Sequence, residues 1–158
     1  MGQNLDATDI AILKHLQDNG RAKRNAIAEV VELSVPSVSE RMRKLEARGL
    51  IQDYCTVLDA KKFNFDITAF IFVEVDSSNS YQQFVERVVK EPEVLECHSI
   101  TGDGSHLLKV RTQNTESFER FLSNIQSWIG VKRTKSNIVL TSFKETRNLP
   151  IEKTVTLK

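Results

Sequence analysis

Apolar residues over the first fifty positions recur three and four apart, the spacing of one helix face, whereas from Ile67 onward they alternate or run continuously, as in strands. Ile10, Ile12, Leu13 and Leu16 give a first helix a broad apolar face through Gln17. Asp6 is placed to cap it, Leu5 to staple it, and Asp9 to complement its positive end; Asp18-Asn19-Gly20 stops it. A second helix is expected over about Arg24 to Val31, with Ile27, Ala28 and Val31 inward. After the short turn Glu32-Leu33, Ser34 caps a third helix, Pro36 falls in its first turn, and Gly49 supplies the left-handed stop. At about 100° per residue, Val38, Met42, Leu45 and Gly49 share one side of this helix, and Pro36, Ser37, Glu40, Arg43, Lys44 and Ala47 the other. Arg41 and Arg48 flank the apolar stripe. Leu50-Ile51 and Tyr54 to Leu58 read as extended, in the position of a wing, and Asp59 to Asp66 reads as a polar linker.

The second half reads strand, helix, strand, strand, helix, strand. Thr68 to Val75 is rich in β-branched and aromatic residues. Ser77 to Ser80 forms a turn into a helix over Tyr81 to Lys90, with Phe84, Val85, Val88 and Val89 inward and a stop at Glu91-Pro92. Val94 to Thr101 and His106 to Thr112 form a hairpin about Gly102-Asp103-Gly104-Ser105. Thr115 starts a helix to about Trp128 with Phe118, Phe121, Leu122 and Ile125 inward; its capping box with Glu119 is one residue out of step. Val131 to Lys144 is a long last strand with a break near Lys135-Ser136-Asn137, and the tail either pairs as an edge strand or lies loose.

The expected fold is therefore α+β: an N-terminal winged helix-turn-helix over residues 1–58, a linker over 59–66, and a C-terminal ferredoxin-like βαββαβ domain over 67–158. Helices on one side of the sheet leave its other side open, and Phe70-Ile71-Phe72-Val73 argues that a partner subunit covers it.

Charge sharpens where function resides. The chain has 158 residues and a net charge of +1, with ten basic against nine acidic residues up to Asn64 and twelve of each beyond. No global field draws it to nucleic acid, so binding to double-stranded DNA must come from local patches. The third helix has the profile of a major-groove reader, with Pro36, Ser37, Glu40, Arg43 and Lys44 toward the bases. Arg21, Lys23, Arg24, Arg41 and Arg48 are candidates for phosphate, with Glu40 and Glu46 as competing partners for the last two. Three scattered histidines and two cysteines show no metal-ligand spacing, and no phosphate loop, nucleophile elbow or dinucleotide fingerprint occurs, so neither metal nor cofactor is expected. Cys55 and Cys97, the absence of a signal peptide and the lack of a membrane-length apolar run suggest a cytoplasmic protein.

The opening LDATDIAIL, the run SVPSVSERMRKLEARGLI, and Ile100-Thr101-Gly102 at the hairpin, in this order of elements, resemble the leucine-responsive/asparagine-regulator (Lrp/AsnC) family of transcription regulators over about Leu5 to Lys144. The resemblance implies DNA binding by the first half, a homodimer or an octamer formed through the second, and a small effector such as an amino acid bound between subunits. It places the effector site at Thr101, Gly102, Asp103, Gly104 and Ser105, with Thr134 and Ser136 on the last strand as further polar candidates. Three departures stand out. Lys23 replaces the usual Ser or Thr cap, Glu32 occupies a turn position that is commonly Gly, and Ser105 takes the place of an acidic residue at the hairpin. A serine forms no ion pair with an α-amino group, which also favours an architectural DNA-binding role without an effector. A further alternative is enzymatic: proteins resembling this family serve as sirohaem decarboxylases, and His98, His106 and Arg111 are the residues such a reading would use.

Overall fold

The computed structural model describes residues 5–76, 78–102 and 104–151. The chain divides into two compact units: one runs to Val57 and takes in the segment returning from Lys144, and the other is Leu58–Phe143.

In the first unit, α1 spans Ala7–Asp18, α2 Arg24–Val30 and α3 Val35–Ala47. The expected caps form. Asp9 N–H donates to Asp6 Oδ1 at 2.7 Å and Asp6 N–H to Asp9 Oδ2 at 3.4 Å, a reciprocal box that satisfies two of the first-turn amides. Ser34 Oγ accepts from Ser37 N–H at 3.3 Å. Lys23 makes no side-chain cap hydrogen bond to α2. Ile12, Leu16, Ile27, Ala28, Val38, Met42 and Leu45 form one buried cluster, which is the inward stripe of all three helices meeting. Gly49 takes φ 70° after α3.

Residues 52–58, expected to be extended, form no strand. The wing is held instead by Tyr54, whose hydroxyl donates to Glu46 Oε1 at 2.9 Å; burial and that carboxylate push its pKa up to about 12. The returning segment hydrogen-bonds α1: Leu149 N–H donates to Gln17 Oε1 at 2.6 Å, Gln17 Nε2 to Leu149 O at 3.2 Å, and Asn148 Nδ2 to Asp18 Oδ1 at 3.3 Å. This segment, expected with the second domain, thus belongs with the first unit; residues 152–158 lie outside the described residues.

The second unit opens with a short 3-10 turn, Ala60–Phe63, capped by Asp59 and closed by Asn64 at φ 61°, where a plain linker was expected. Then follow β1 Ile67–Val75, α4 Ser78–Val88, β2 Val94–Ser99, β3 His106–Thr112, α5 Thr115–Gln126 and β4 Val131–Ile138. The sheet is antiparallel in the order β2-β3-β1-β4, which is the ferredoxin-like arrangement. Ala69, Ile71, Val73, Leu108 and Val110 bury one sheet face against Phe84 and Val88 of α4 and Phe118, Phe121 and Ile125 of α5, with Trp128 just beyond.

Several boundaries differ from expectation. Helix α4 starts three residues early, so Ser80 lies inside it; Ser77 is outside the described residues. Val89 falls past its end and is exposed rather than inward. Asn114, not Thr115, caps α5, in a box with Ser117, which resolves the misfit with Glu119. Strand β4 runs unbroken through Lys135-Ser136-Asn137 and ends at Ile138, short of Lys144, because β1, its pairing partner, begins at Ile67.

Gly130 joins α5 to β4 at φ 84°, and a Cβ there would lie 2.2 Å from Ser80 Cβ and 2.5 Å from Ser80 Oγ. Both the backbone and the neighbouring helix exclude a side chain. Gly130→Ala is expected to destabilise the protein by about 2 kcal/mol or more, read from the midpoint of urea unfolding.

Candidate functional site

Helix α3 buries Val38, Met42 and Leu45 and leaves Pro36, Ser37, Glu40, Arg43 and Lys44 exposed, as the helical spacing requires. Glu40 organises this face. Arg43 donates to it through Nε at 3.0 Å and Nη2 at 2.7 Å, and Lys44 Nζ lies 3.6 Å away. The pair holds the Glu40 carboxyl below its usual range and occupies one edge of the Arg43 guanidinium, leaving the Nη1 side of the fork without an acceptor among the described residues.

Arg41 is used differently. Its Nη1 sits 2.7 Å from both Asp6 Oδ2 and Asp9 Oδ1, stapling α3 to the capping box of α1. The Asp9 N–H, and after it the Arg41 guanidinium, hold the Asp6 carboxyl below its ordinary value, while partial burial opposes them. The Arg41 candidacy for phosphate is therefore corrected: its charge is spent on two aspartates 32 and 35 positions away. Arg21, Lys23, Arg24 and Arg48 are exposed and form no ion pair among the described residues.

Glu32, in the turn between α2 and α3, has φ 53°, a left-handed conformation that most side chains disfavour. The strain expected from its departure from Gly is present.

The second candidate site lies on the open face of the sheet. An open cavity of about 570 Å³ is lined by Phe72 and Glu74 of β1, Gly102, Gly104 and Ser105 of the hairpin turn, and Arg133 and Lys135 of β4. The turn folds against the end of β1: Ser105 N–H donates to Val73 O at 3.0 Å, and a Cβ on Gly104 would lie 3.3 Å from that carbonyl oxygen. Ser105 Oγ is fully engaged. It donates to Val73 O at 3.1 Å, accepts from Val75 N–H at 3.0 Å, and lies 2.9 Å from His106 Nδ1. The direction of the Ser105–His106 bond follows the tautomer of the ring. His106 itself is buried against Tyr81 and Phe84, at 4.6 and 4.7 Å between ring centroids, and burial lowers its pKa.

Register separates residues that sequence spacing grouped. Ser136 opposes Ile71 and Thr134 opposes Val73, so both lie on the helix-covered side; Gln126 Nε2 donates to Thr134 Oγ1 at 2.9 Å. Neither lines the cavity, and both are corrected as site residues. Thr101 is exposed in the turn but is not part of the lining, and Asp103 lies outside the described residues. Arg133 and Lys135 were missed. The alternation of β4 against Phe72 and Glu74 is the signal that places them on the open face. His98 and Arg111 stand on that open face, where Arg111 Nε donates to Thr68 Oγ1 at 3.1 Å, while His106 is buried on the other; the three do not converge on one centre. Among the described residues no group of three or more potential metal ligands occurs, and no helix is long and apolar enough to cross a membrane.

A helix-turn-helix with a basic outer face, followed in the chain by a ferredoxin-like domain with a charged cavity, defines a two-domain DNA-binding regulator. The winged helix-turn-helix DNA-binding family matches residues 5–52, and the Lrp/AsnC ligand binding domain matches 68–149. The chain belongs to the Lrp/AsnC family of transcription regulators. It is 36% identical to the HTH-type transcriptional regulator FL11 of Pyrococcus horikoshii over 148 residues, 94% of this chain and 97% of that one. It is 31% identical to the leucine-responsive regulatory protein of Klebsiella pneumoniae over 156 residues, 96% and 94% of the two chains. A transcriptional regulator from Neisseria meningitidis, solved in complex with L-Met, superposes with a TM-score of 0.92 at 33% identity, covering 96% of this chain and 99% of that one.

Two stability outcomes follow from these contacts. Glu32→Gly is expected to raise stability by ~1 kcal/mol, measured as a higher urea midpoint. Arg41→Ala is expected to lower stability by ~1 kcal/mol, because it leaves two carboxylates facing each other at the α1 terminus, while DNA affinity in a gel shift at fixed salt changes less than with Arg43→Ala.

Proposed function

We propose that the chain reads double-stranded DNA through the exposed edge of α3 as a homodimer or larger homo-oligomer, with an amino-acid-type effector received at the Gly102–Ser105 cavity. The observation that carries the DNA reading is the single unburied edge of α3, where Pro36, Ser37, Glu40, Arg43 and Lys44 stand together. Small residues at the N-terminal end of the helix let it enter the groove, and the free edge of the Arg43 guanidinium suits a guanine. Arg21, Lys23, Arg24 and Arg48 supply phosphate contacts, each adding affinity without sequence preference. Two copies related by a two-fold axis set two such helices on the duplex, so the target is a near-palindrome.

The half-buried aromatic pair Phe70 and Phe72 on the open sheet face, together with Leu140 and Phe143 at 96% exposure each, supports a second copy of the chain as a partner. The methionine held by the Neisseria relative supports an amino acid as effector class. Division of labour follows the two domains, DNA with the first and effector with the second. No catalytic role, metal or cofactor belongs to this reading, and its place of action is the cytoplasm, where the DNA of such a regulator lies.

Arg43→Ala and Lys44→Ala test the reader. Each is expected to weaken binding to the operator by about tenfold in a gel shift at controlled salt, with oligomer size by light scattering unchanged. Parent-like affinity in both variants would remove α3 as the reading element.

A further inference from the structure

Glu40 stands in the middle of the reading edge of α3, where a negative charge is out of place. Duplex phosphates repel it, yet it shares that edge with Pro36, Ser37, Arg43 and Lys44. The geometry of its carboxylate gives the charge a use. Oε2 accepts from Arg43 Nε at 3.0 Å and Oε1 from Arg43 Nη2 at 2.7 Å, a side-on pair between residues three apart on the helix. A guanidinium carries five N–H donors in one plane, and the side-on pair uses two of them. The fork formed by Nη1 and the second Nη2 hydrogen stays open, with no acceptor among the described residues. That fork is the shape that meets guanine O6 and N7 together. Lys44 Nζ, 3.6 Å from the same Oε1, keeps donors for a phosphate. With side chains 47% and 68% exposed, Glu40 and Arg43 gain little folding stability from each other. The pair acts on orientation instead. A free arginine samples many rotamers and loses them on binding, whereas a held one enters the groove with its plane already set.

We propose that Glu40 is a positioning residue for specificity: it contacts Arg43 rather than a base, and it restricts Arg43 to guanine at one base pair of the target. Without the carboxylate, Arg43 swings to a phosphate, which adds affinity for any sequence and removes preference for one. Glu40 thus exchanges general affinity for discrimination. The inference rests on α3 as the reading element and adds which residue sets its selectivity.

Selection from random-sequence duplexes with the full-length chain supplies a preferred site, and gel shifts at fixed salt then measure every single base-pair change within it. Arg43→Ala is expected to flatten the preference at one G·C pair by about tenfold. Glu40→Ala should flatten it at that same pair, again by about tenfold, and should tighten binding to unselected duplex by about threefold, with the urea midpoint unchanged. Glu40→Gln keeps one acceptor for the guanidinium and should fall between parent and Glu40→Ala. The double variant should lose no more at that pair than Arg43→Ala alone. Loss of preference at a different base pair in Glu40→Ala would overturn the inference, because Glu40 then reads a base itself. Unaltered preference at every pair in Glu40→Ala would also overturn it and leave α3 standing as the reader. Unaltered preference at every pair in both Arg43→Ala and Lys44→Ala would overturn the reading by α3 and the inference with it.

Discussion

The two-residue alternation of an antiparallel sheet covered on one side governs what the second unit can do. Each strand residue faces either α4 and α5 or the open side, and it cannot serve both. Ala69, Ile71, Val73, Leu108 and Val110 are committed to the core, so Phe70, Phe72, Glu74 and their cross-strand neighbours Lys135 and Arg133 face the other way. A one-residue slip of β4 would turn the two cations to the helix-covered side and Thr134 and Ser136 to the open side. The register is therefore as much a property of the site as of the core. The Gly104–Ser105 turn ties the start of β3 to the end of β1 through the Val73 carbonyl and the Val75 amide, next to the irregularity between Glu74 and Val75.

The first unit divides its residues by the helical period in the same manner. Arg41 and Arg43 are two positions apart in sequence, about 200° apart around α3. The buried stripe at Val38, Met42 and Leu45 turns Arg41 toward the start of α1 and Arg43 toward solvent. Asp6 and Asp9 then act twice. They cap α1 through its amides, and they neutralise a guanidinium brought over by α3. That second role locks the angle of α3 within its unit through charge as well as apolar contact, while the opposite edge keeps its cations for an external partner.

Much of this was legible in the sequence because local rules and burial agreed. The caps at Asp6 and Ser34, the stop at Gly49 and the βαββαβ order all follow from side-chain chemistry at short range. The unusual backbone at Glu32 was also foreseeable, since its position is one that favours glycine. What was not legible depends on long-range pairing. The two aspartates that bind Arg41 lie more than thirty residues upstream, and the positions three and four away from it on α3, Ser37, Val38, Lys44 and Leu45, hold no acid. The faces of Thr134 and Ser136 depend on where β4 meets β1, which no local pattern states. The return of Asn148 and Leu149 to α1 involves a segment without apolar periodicity, held by amide side chains.

Ser105 shows how a departure from a family pattern acquires physical meaning only from its surroundings. As a residue type, serine in place of an acid reads as a lost charge. In the structure the hydroxyl meets the Val73 carbonyl, the Val75 amide and a histidine ring nitrogen, and it bonds all three. A carboxylate at this position accepts from the amide and the ring, but it has no proton to give the Val73 oxygen and would face that oxygen with like charge. The neighbourhood is therefore matched to a hydroxyl, and its two backbone partners flank Glu74. His106 meets the serine through Nδ1, and its Nε2 is buried against aromatic rings with no hydrogen-bond partner among the described residues. Protonating the ring places an uncompensated charge in an apolar layer, in keeping with its lowered pKa. At this position the missing acid leaves a neutral, internally satisfied tie between β1 and β3.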